Sequence, residues 1–369
     1  MLKDRAQKTL ALRLCVSKKW LPQPEVVIEP YQQTEKVKYL LTDLDVLGIC
    51  PSPIGGHVRV VFDCKSGAKE SAMSRAFWLH GVMTKAASSH GFVVLNNKVS
   101  INHDHRISAT DLNISLLHEG EFEDLAQGMG GSTLPIDAAT ADIESWEKFF
   151  SLKAKYALLS EYLTFSASRY WIIKDAGERC RKIVAKLRAI RYELDPAKAD
   201  HLSIFGDALC LFLLSLSELA NRLFLVLLKP VTRDEFTTPL LALLYGGYEN
   251  LEAAQKIKKI TSGVEAVDAL DIFPELGRFE QLVRELLQAP QQTLAASLLA
   301  RELSLIFLTE RSKTDLVLQI ATESPHASKF VVMASDYLCK ALHLPLEFAS
   351  HYSDYVLSVS ATALRAKKV

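Results

Sequence analysis

Apolar residues in this chain keep two different periods, and the change between them near residue 130 limits the fold more than any single motif. Before it, short segments rich in β-branched residues alternate with amphipathic helical stretches. After it, apolar positions recur at three and four nearly to the end. A chain of 369 residues has room for two domain cores. The expectation is therefore an α/β N-terminal domain with a mixed sheet, followed by an all-α helical C-terminal domain.

Within the first part, residues 4–18 read as a helix with Leu10, Ala11 and Leu14 on one side. The extended Leu21-Pro22-Gln23-Pro24 ends it. Strands are expected over 25–30, 39–49, 57–65, 90–97 and 113–120, and helices over 68–86 and after Asn102. Cys50 to Gly56 is full of turn residues, so the second and third strands form a hairpin. Gly128-Met129-Gly130-Gly131-Ser132-Thr133-Leu134-Pro135 marks the best boundary. The predicted organisation is a first domain over 1–127, a linker over 128–138 and a helical domain over 139–369. Helices are expected over 141–163, 166–193, 197–228, 233–245, 249–260, 276–288, 291–309, 325–342 and 345–365, without a repeat of fixed period.

Charge narrows the function classes. Lys+Arg and Asp+Glu balance at 43 each, so the whole chain advertises no polyanion partner. Residues 1–110 nevertheless hold 15 basic against 9 acidic residues, an excess that suits contact with phosphates. Six scattered cysteines without a CxxC pair argue for free thiols in a reducing compartment. The charged N-terminus lacks the apolar core of a signal peptide. The apolar stretch Leu209–Leu228 contains Ser215, Glu218, Asn221 and Arg222, so it is expected inside a bundle rather than in a bilayer. These features predict a cytoplasmic protein with no membrane partner.

The chemistry concentrates in the hairpin. Side chains two apart on a strand share a face, so Asp63 and Lys65 point the same way, as do Asp43 and Asp45. Folding the hairpin about Ile54 makes partners sum to about 108, a sum that Asp45 and Asp63 satisfy. They are expected opposite each other with Cβ atoms about 5 Å apart, where their repulsion calls for a divalent cation. Lys65 reaches the same cleft, where it could orient or help deprotonate a metal-bound water.

TDLDVLGI, VVFDCKSG, GFVVLNN and ISLLHEG, in this order of strands and helices, resemble the restriction-endonuclease-like fold of the PD-(D/E)XK nuclease superfamily. The resemblance covers residues 1–125. It implies a metal-dependent nuclease cutting DNA with Asp45, Asp63 and Lys65 as catalytic residues. It also implies Mg²⁺ or Mn²⁺ held by Asp45, Asp63 and the backbone carbonyl of Cys64. The helical region would bind substrate, a protein partner or a second copy of the chain. The alternative is a nuclease-derived module that no longer cuts and serves assembly, for instance in a prokaryotic defence complex. The family often adds an acid from the first helix, which here offers only Asp4 and Gln7. Glu29 and Asp43 are possible substitutes.

Other signals are weaker. His103-Asp104-His105 reads as a helix start and the Gly128 segment as a linker rather than a phosphate loop. His80 reads as a helix-surface histidine, and Arg75 as a candidate phosphate contact. Lys174, Arg181 and Arg188 recur every seven residues over 171–191, a stripe that could face nucleic acid.

Overall fold

The computed structural model describes residues 2–30, 39–52, 55–228, 232–262 and 273–366. The hairpin centre Ile54 lies outside the described residues. The first part runs α1 (Arg5–Ser17), β1 (Leu21–Ile28), β2 (Thr42–Pro51), β3 (His57–Lys65), α2 (Ala72–Ala86), β4 (His90–Leu95), α3 (His103–Thr110), β5 (Ile114–His118) and α4 (Phe122–Gly128). Its five strands form one mixed sheet in sequence order, antiparallel from β1 to β3 and parallel from β3 to β5. The hairpin register is the expected one: Val46 faces Phe62 and Leu47 faces Val61.

β1 begins at Leu21, earlier than the prolines suggest. Pro22 and Pro24 have the same parity, so their missing N–H groups fall on one side of the strand. An edge strand, which pairs here only with β2, can spare those donors. The two sheet faces pack differently. α2 lies so close over β4 that a Cβ on Gly91 would sit 2.7 Å from Met83 Sδ. On the opposite face Phe62 stacks on Phe92 at 4.7 Å between centroids and meets Phe122 at 6.2 Å.

Beyond residue 138 the described secondary structure is helical: α5 (Ile143–Lys155), α6 (Ser160–Ala167), α7 (Arg169–Ile172), α8 (Ala176–Ala189), α9 (Ala199–Leu227), α10 (Arg233–Tyr245), α11 (Tyr248–Ser262), α12 (Leu276–Leu286), α13 (Gln292–Thr309), α14 (Asp315–Glu323), α15 (Pro325–Leu342) and α16 (Glu347–Ala366). The expected 141–163 and 166–193 helices are each broken. Tyr156 leaves helical geometry between α5 and α6, and Ile173 does so between α7 and α8.

α9 is the one described helix long and apolar enough to cross a membrane. It is buried from His201 to Leu216 by the helices around it. Small residues let α13 approach closely: Ser304 Oγ donates to the Ser203 carbonyl at 2.7 Å, and Ser297 Oγ to that of Cys210 at 2.8 Å. All six cysteines are free and buried.

Residues 128–138 join the sheet region to the helices, but they are not a loose tether. Lys18 Nζ donates to the Met129 carbonyl, and Ser132 N–H donates to Ser17 Oγ at 2.9 Å. Glu123 accepts from the Thr133 hydroxyl at 2.6 Å. Buried apolar side chains run without a break from the sheet into the bundle. The reason is chemical: this stretch carries hydroxyls and carbonyls that find partners on α1 and α4.

Two buried neighbours on α13 fasten the regions together. Glu302 accepts from Ala139 N–H at 2.7 Å, from Thr140 N–H at 2.8 Å and from the hydroxyls of Thr140 (2.7 Å) and Thr314 (2.8 Å). Arg301 pairs with Asp207 of α9 and donates to Gln23 Oε1 of β1 at 3.1 Å. Removing the Glu302 acceptor strands several buried donors. Glu302→Ala is therefore expected to cost about 3–5 kcal/mol in chemical denaturation, and Glu302→Gln less.

At the start of β3, burial and the neighbouring Arg179 and Arg59 push His57 down to about 3. The folded state thus holds a neutral imidazole, while the unfolded chain takes up a proton near pH 6.5. Stability from this group is present above pH 6.5 and is lost as pH falls toward 3. Between pH 7.5 and pH 5 the wild type should lose about 2 kcal/mol more than His57→Gln, measured by denaturation at both values.

Candidate functional site

Toward the far end of β3 the hairpin's hydrogen-bonded ladder ends. The β2–β3 ladder stops at Val46–Phe62, one pair short of Asp45 and Asp63. The Cys64 N–H instead donates to Asp45 Oδ2 at 2.8 Å, so a side chain replaces the backbone acceptor. Asp45 and Asp63 thus follow the last ladder pair in the same register, and both are buried, at 8% (Asp45) and 2% (Asp63) exposure.

Lys65 closes the gap between them. Its Nζ lies 2.9 Å from Asp45 Oδ2, 3.1 Å from Asp63 Oδ1 and 3.0 Å from the Cys64 carbonyl oxygen. Two further cations complete the set. Lys8 of α1 reaches Asp45 Oδ1 at 3.0 Å and also pairs with Glu25. Arg75 of α2 grips Asp63 with both arms of its guanidinium, Nε at 2.7 Å from Oδ2 and Nη2 on Oδ1. The same guanidinium stands 4.2 Å from the Trp78 ring centroid.

Three carboxylates thus face three cations. The repulsion of Asp45 and Asp63 is offset by the protein's own side chains, so it does not by itself demand a metal. Among the described residues no group of three His, Cys, Asp or Glu side chains converges. The oxygen cage consists of two carboxylates and a backbone carbonyl.

Electrostatics set the protonation states. Burial lowers the Lys65 ammonium pKa, but Asp63 and Asp45 more than offset this and raise it well above its ordinary value. Burial likewise opposes the Lys8 charge, and Asp45 and Glu25 again prevail. For Asp45, burial pushes the carboxyl up while Lys65 and Lys8 pull it below its usual range. For Asp63, burial outweighs Arg75 and Lys65 and holds the carboxyl above it. Lys65 in this arrangement keeps its proton, because the Asp63 and Asp45 carboxylates beside it stabilise the ammonium. It can accept a proton only after another cation takes up the carboxylate charge.

Of the substitutes for a helix acid, none reaches the cage. Asp4 accepts from the Ser66 N–H at 2.8 Å and from its hydroxyl at 2.5 Å. Gln7 donates to Glu119 at 2.5 Å. Asp43 is exposed on β2. Glu29 lies past the end of β1, in a cleft of about 650 Å³ with Arg169, Lys182 and Lys186. The acid beside the site is Glu25, which sequence reasoning missed. Pro24–Val46 and Val26–Leu44 pairing brackets it opposite Asp45, and its backbone adopts a left-handed φ of 56°. The β1–β2 register was the signal that could have found it.

The remaining candidates have other roles. Arg75 is spent on Asp63. His80 is exposed, its Nδ1 3.3 Å from the Leu112 carbonyl oxygen. His103-Asp104-His105 opens α3, with the His105 N–H donating to Asn102 at 2.8 Å. The basic heptad is dismantled: Lys174 precedes α8, Arg181 donates to the Leu244 carbonyl at 2.5 Å, and Arg188 to that of Ala341 at 3.3 Å. Those two arginines close the ends of α10 and α15, where free carbonyls favour cations. No family model, curated protein or solved structure matches this chain.

Proposed function

We propose that the N-terminal region is a metal-dependent nuclease of the restriction-endonuclease-like kind, hydrolysing phosphodiester bonds in DNA. One observation carries this reading. Asp45 Oδ2, Asp63 Oδ1 and the Cys64 carbonyl oxygen converge on a single cationic centre, Lys65 Nζ, each at about 3 Å. These are the three oxygen donors expected for a hard divalent ion, and an ammonium and Mg²⁺ compete for the same chemistry. The order of helices and strands around the cage supports the same reading.

Asp45, Asp63 and the Cys64 carbonyl would hold Mg²⁺ or Mn²⁺. When bound, the ion supplies Lewis acidity toward the phosphate and an acidified water. Lys65, exchanged from the cage by such an ion, would balance charge on the phosphate. Arg75, packed on Trp78, keeps the Asp63 carboxylate oriented. Lys8 neutralises Glu25 and holds Asp45 in place. The helical region would contribute substrate, partner or self-association surfaces in a cytoplasmic protein.

The closed set of ion pairs favours a second reading, a non-cutting assembly module in which Lys8, Lys65 and Arg75 have replaced the metal. Plasmid cleavage and calorimetry with Mn²⁺ separate the two. For a nuclease, the wild type cuts with Mg²⁺ or Mn²⁺, and Asp45→Ala and Asp63→Asn lose at least about 100-fold together with metal binding. Lys65→Ala should keep the metal and lose turnover. A wild type that neither cuts DNA nor binds Mn²⁺ would overturn the nuclease reading in favour of the non-cutting module.

A further inference from the structure

A second site lies at the opposite end of β3, where the sheet region meets α7, α8 and α9. A cavity of about 380 Å³ opens there, lined by His57, Arg59, Lys85, Lys174, Arg179 and Glu218 among others. Four of these residues are basic and one is acidic. With His57 neutral, the wall carries a clear cationic excess.

The cations are poorly compensated. Arg59 spends Nη1 on two carbonyl oxygens, Ala86 at 3.1 Å and Trp171 at 2.7 Å. Among the described residues its Nε and Nη2 donate to none and no carboxylate lies within ion-pair distance, Glu218 acting on it only through space. Burial and the adjacent Arg179 push its guanidinium down to about 10, and Glu218, already paired with Arg179, offsets this only in part. Lys85 and Lys174 are exposed at the rim, with no carboxylate partner among the described residues. Arg179 is 2% exposed and pairs with Glu218, but its Nε makes no hydrogen bond. The His57 side chain is 5% exposed, and its Nδ1 is likewise without a partner.

Two arginines brought together in a partly buried wall repel each other. A protein retains such an arrangement at low cost when an anion completes it. Arginine donors suit phosphate, which takes several hydrogen bonds from a planar fork. The other wall is apolar, with Val58, Ala87, Trp171, Ile172 and Ile173. The volume lies within the range of small-ligand pockets. The extended rise of β3 puts Arg59 about 20 Å from Lys65, so this pocket is separate from the carboxylate cage.

We propose that this cavity binds a small phosphate-bearing ligand of nucleotide size, with the phosphate on Arg59, Lys85 and Lys174 and the organic part against the Val58–Ile172 wall. Contact with β3, α2 and the helical region together would let such a ligand brace the junction between them.

The test uses the full chain in chloride buffer, free of phosphate and sulfate, titrated calorimetrically with inorganic phosphate and with adenosine monophosphate. The nucleotide is expected to bind at least about tenfold tighter than phosphate and to raise the melting temperature. Lys85→Gln combined with Lys174→Gln removes only exposed charge, so the fold should persist while nucleotide affinity falls at least about fivefold. Arg59→Met should abolish binding, and the double variant keeps the proposal testable if Arg59→Met fails to fold. Asp63→Asn, in the other site, should leave nucleotide affinity unchanged. Absence of binding up to millimolar concentrations would overturn the proposal, as would affinity indifferent to the double substitution. Equal affinity for phosphate and nucleotide would overturn the nucleotide-sized ligand.

Discussion

Arg301 and Glu302, adjacent on one helix and both fully buried, hold this structure in its arrangement. Removing two opposite charges from water costs several kcal/mol each, and each charge must be matched where it lies. Arg301 is matched by Asp207 and by the β1 residue Gln23; Glu302 is matched by four donors around the segment that leaves the sheet region. An apolar interface could slide by a residue with modest loss, but these pairs cannot. They set the register of α13 against α9 and of the helical bundle against the edge strand. Gln23 sits two residues before Glu25, so the same contact steadies the strand that carries an acid to the carboxylate cage.

Charge balance governs that cage. Glu25, Asp45 and Asp63 are matched by Lys8, Lys65 and Arg75, contributed by two strands of the hairpin, β1 and two helices. Any cation entering must displace or neutralise the role of one already present. Lys65 is the natural one to move: it is the most exposed of the three cations, at 23% against 3% for Lys8 and 19% for Arg75. Lys8 is locked under α1, and Arg75 is fixed by two donors and an aromatic face.

The junction between sheet and helices meets β3 at its first residues, at the end away from the carboxylate cage. Its apolar core is shared, and Arg59 crosses it to reach the Trp171 carbonyl. A chain that reads as two domains with a linker therefore folds as regions sealed by polar contacts. The linker residues were legible as a boundary because they are small and turn-prone. Their anchoring was not, since its partners lie on α1 and α4, and the next residues, Ala139 and Thr140, find theirs more than 160 residues away on α13.

Local pattern alone determined a good deal. Period-2 runs located the strands, the turn residues of 50–56 implied the hairpin, and its register followed from their centre. With that register came the nearness of Asp45, Asp63 and Lys65, because side-chain direction alternates strictly along a strand. Breaks at Tyr156 and Ile173 were illegible, since the apolar period continues across them and only packing ends each helix. Only the tertiary structure decided what surrounds the carboxylates. Lys8, Glu25 and Arg75 lie 12 to 37 residues away from their partners, and Glu25 sits on an edge strand obscured by prolines. Hydrophobic periodicity records which face of an element is buried and carries no record of which charge meets it there; that is settled by packing.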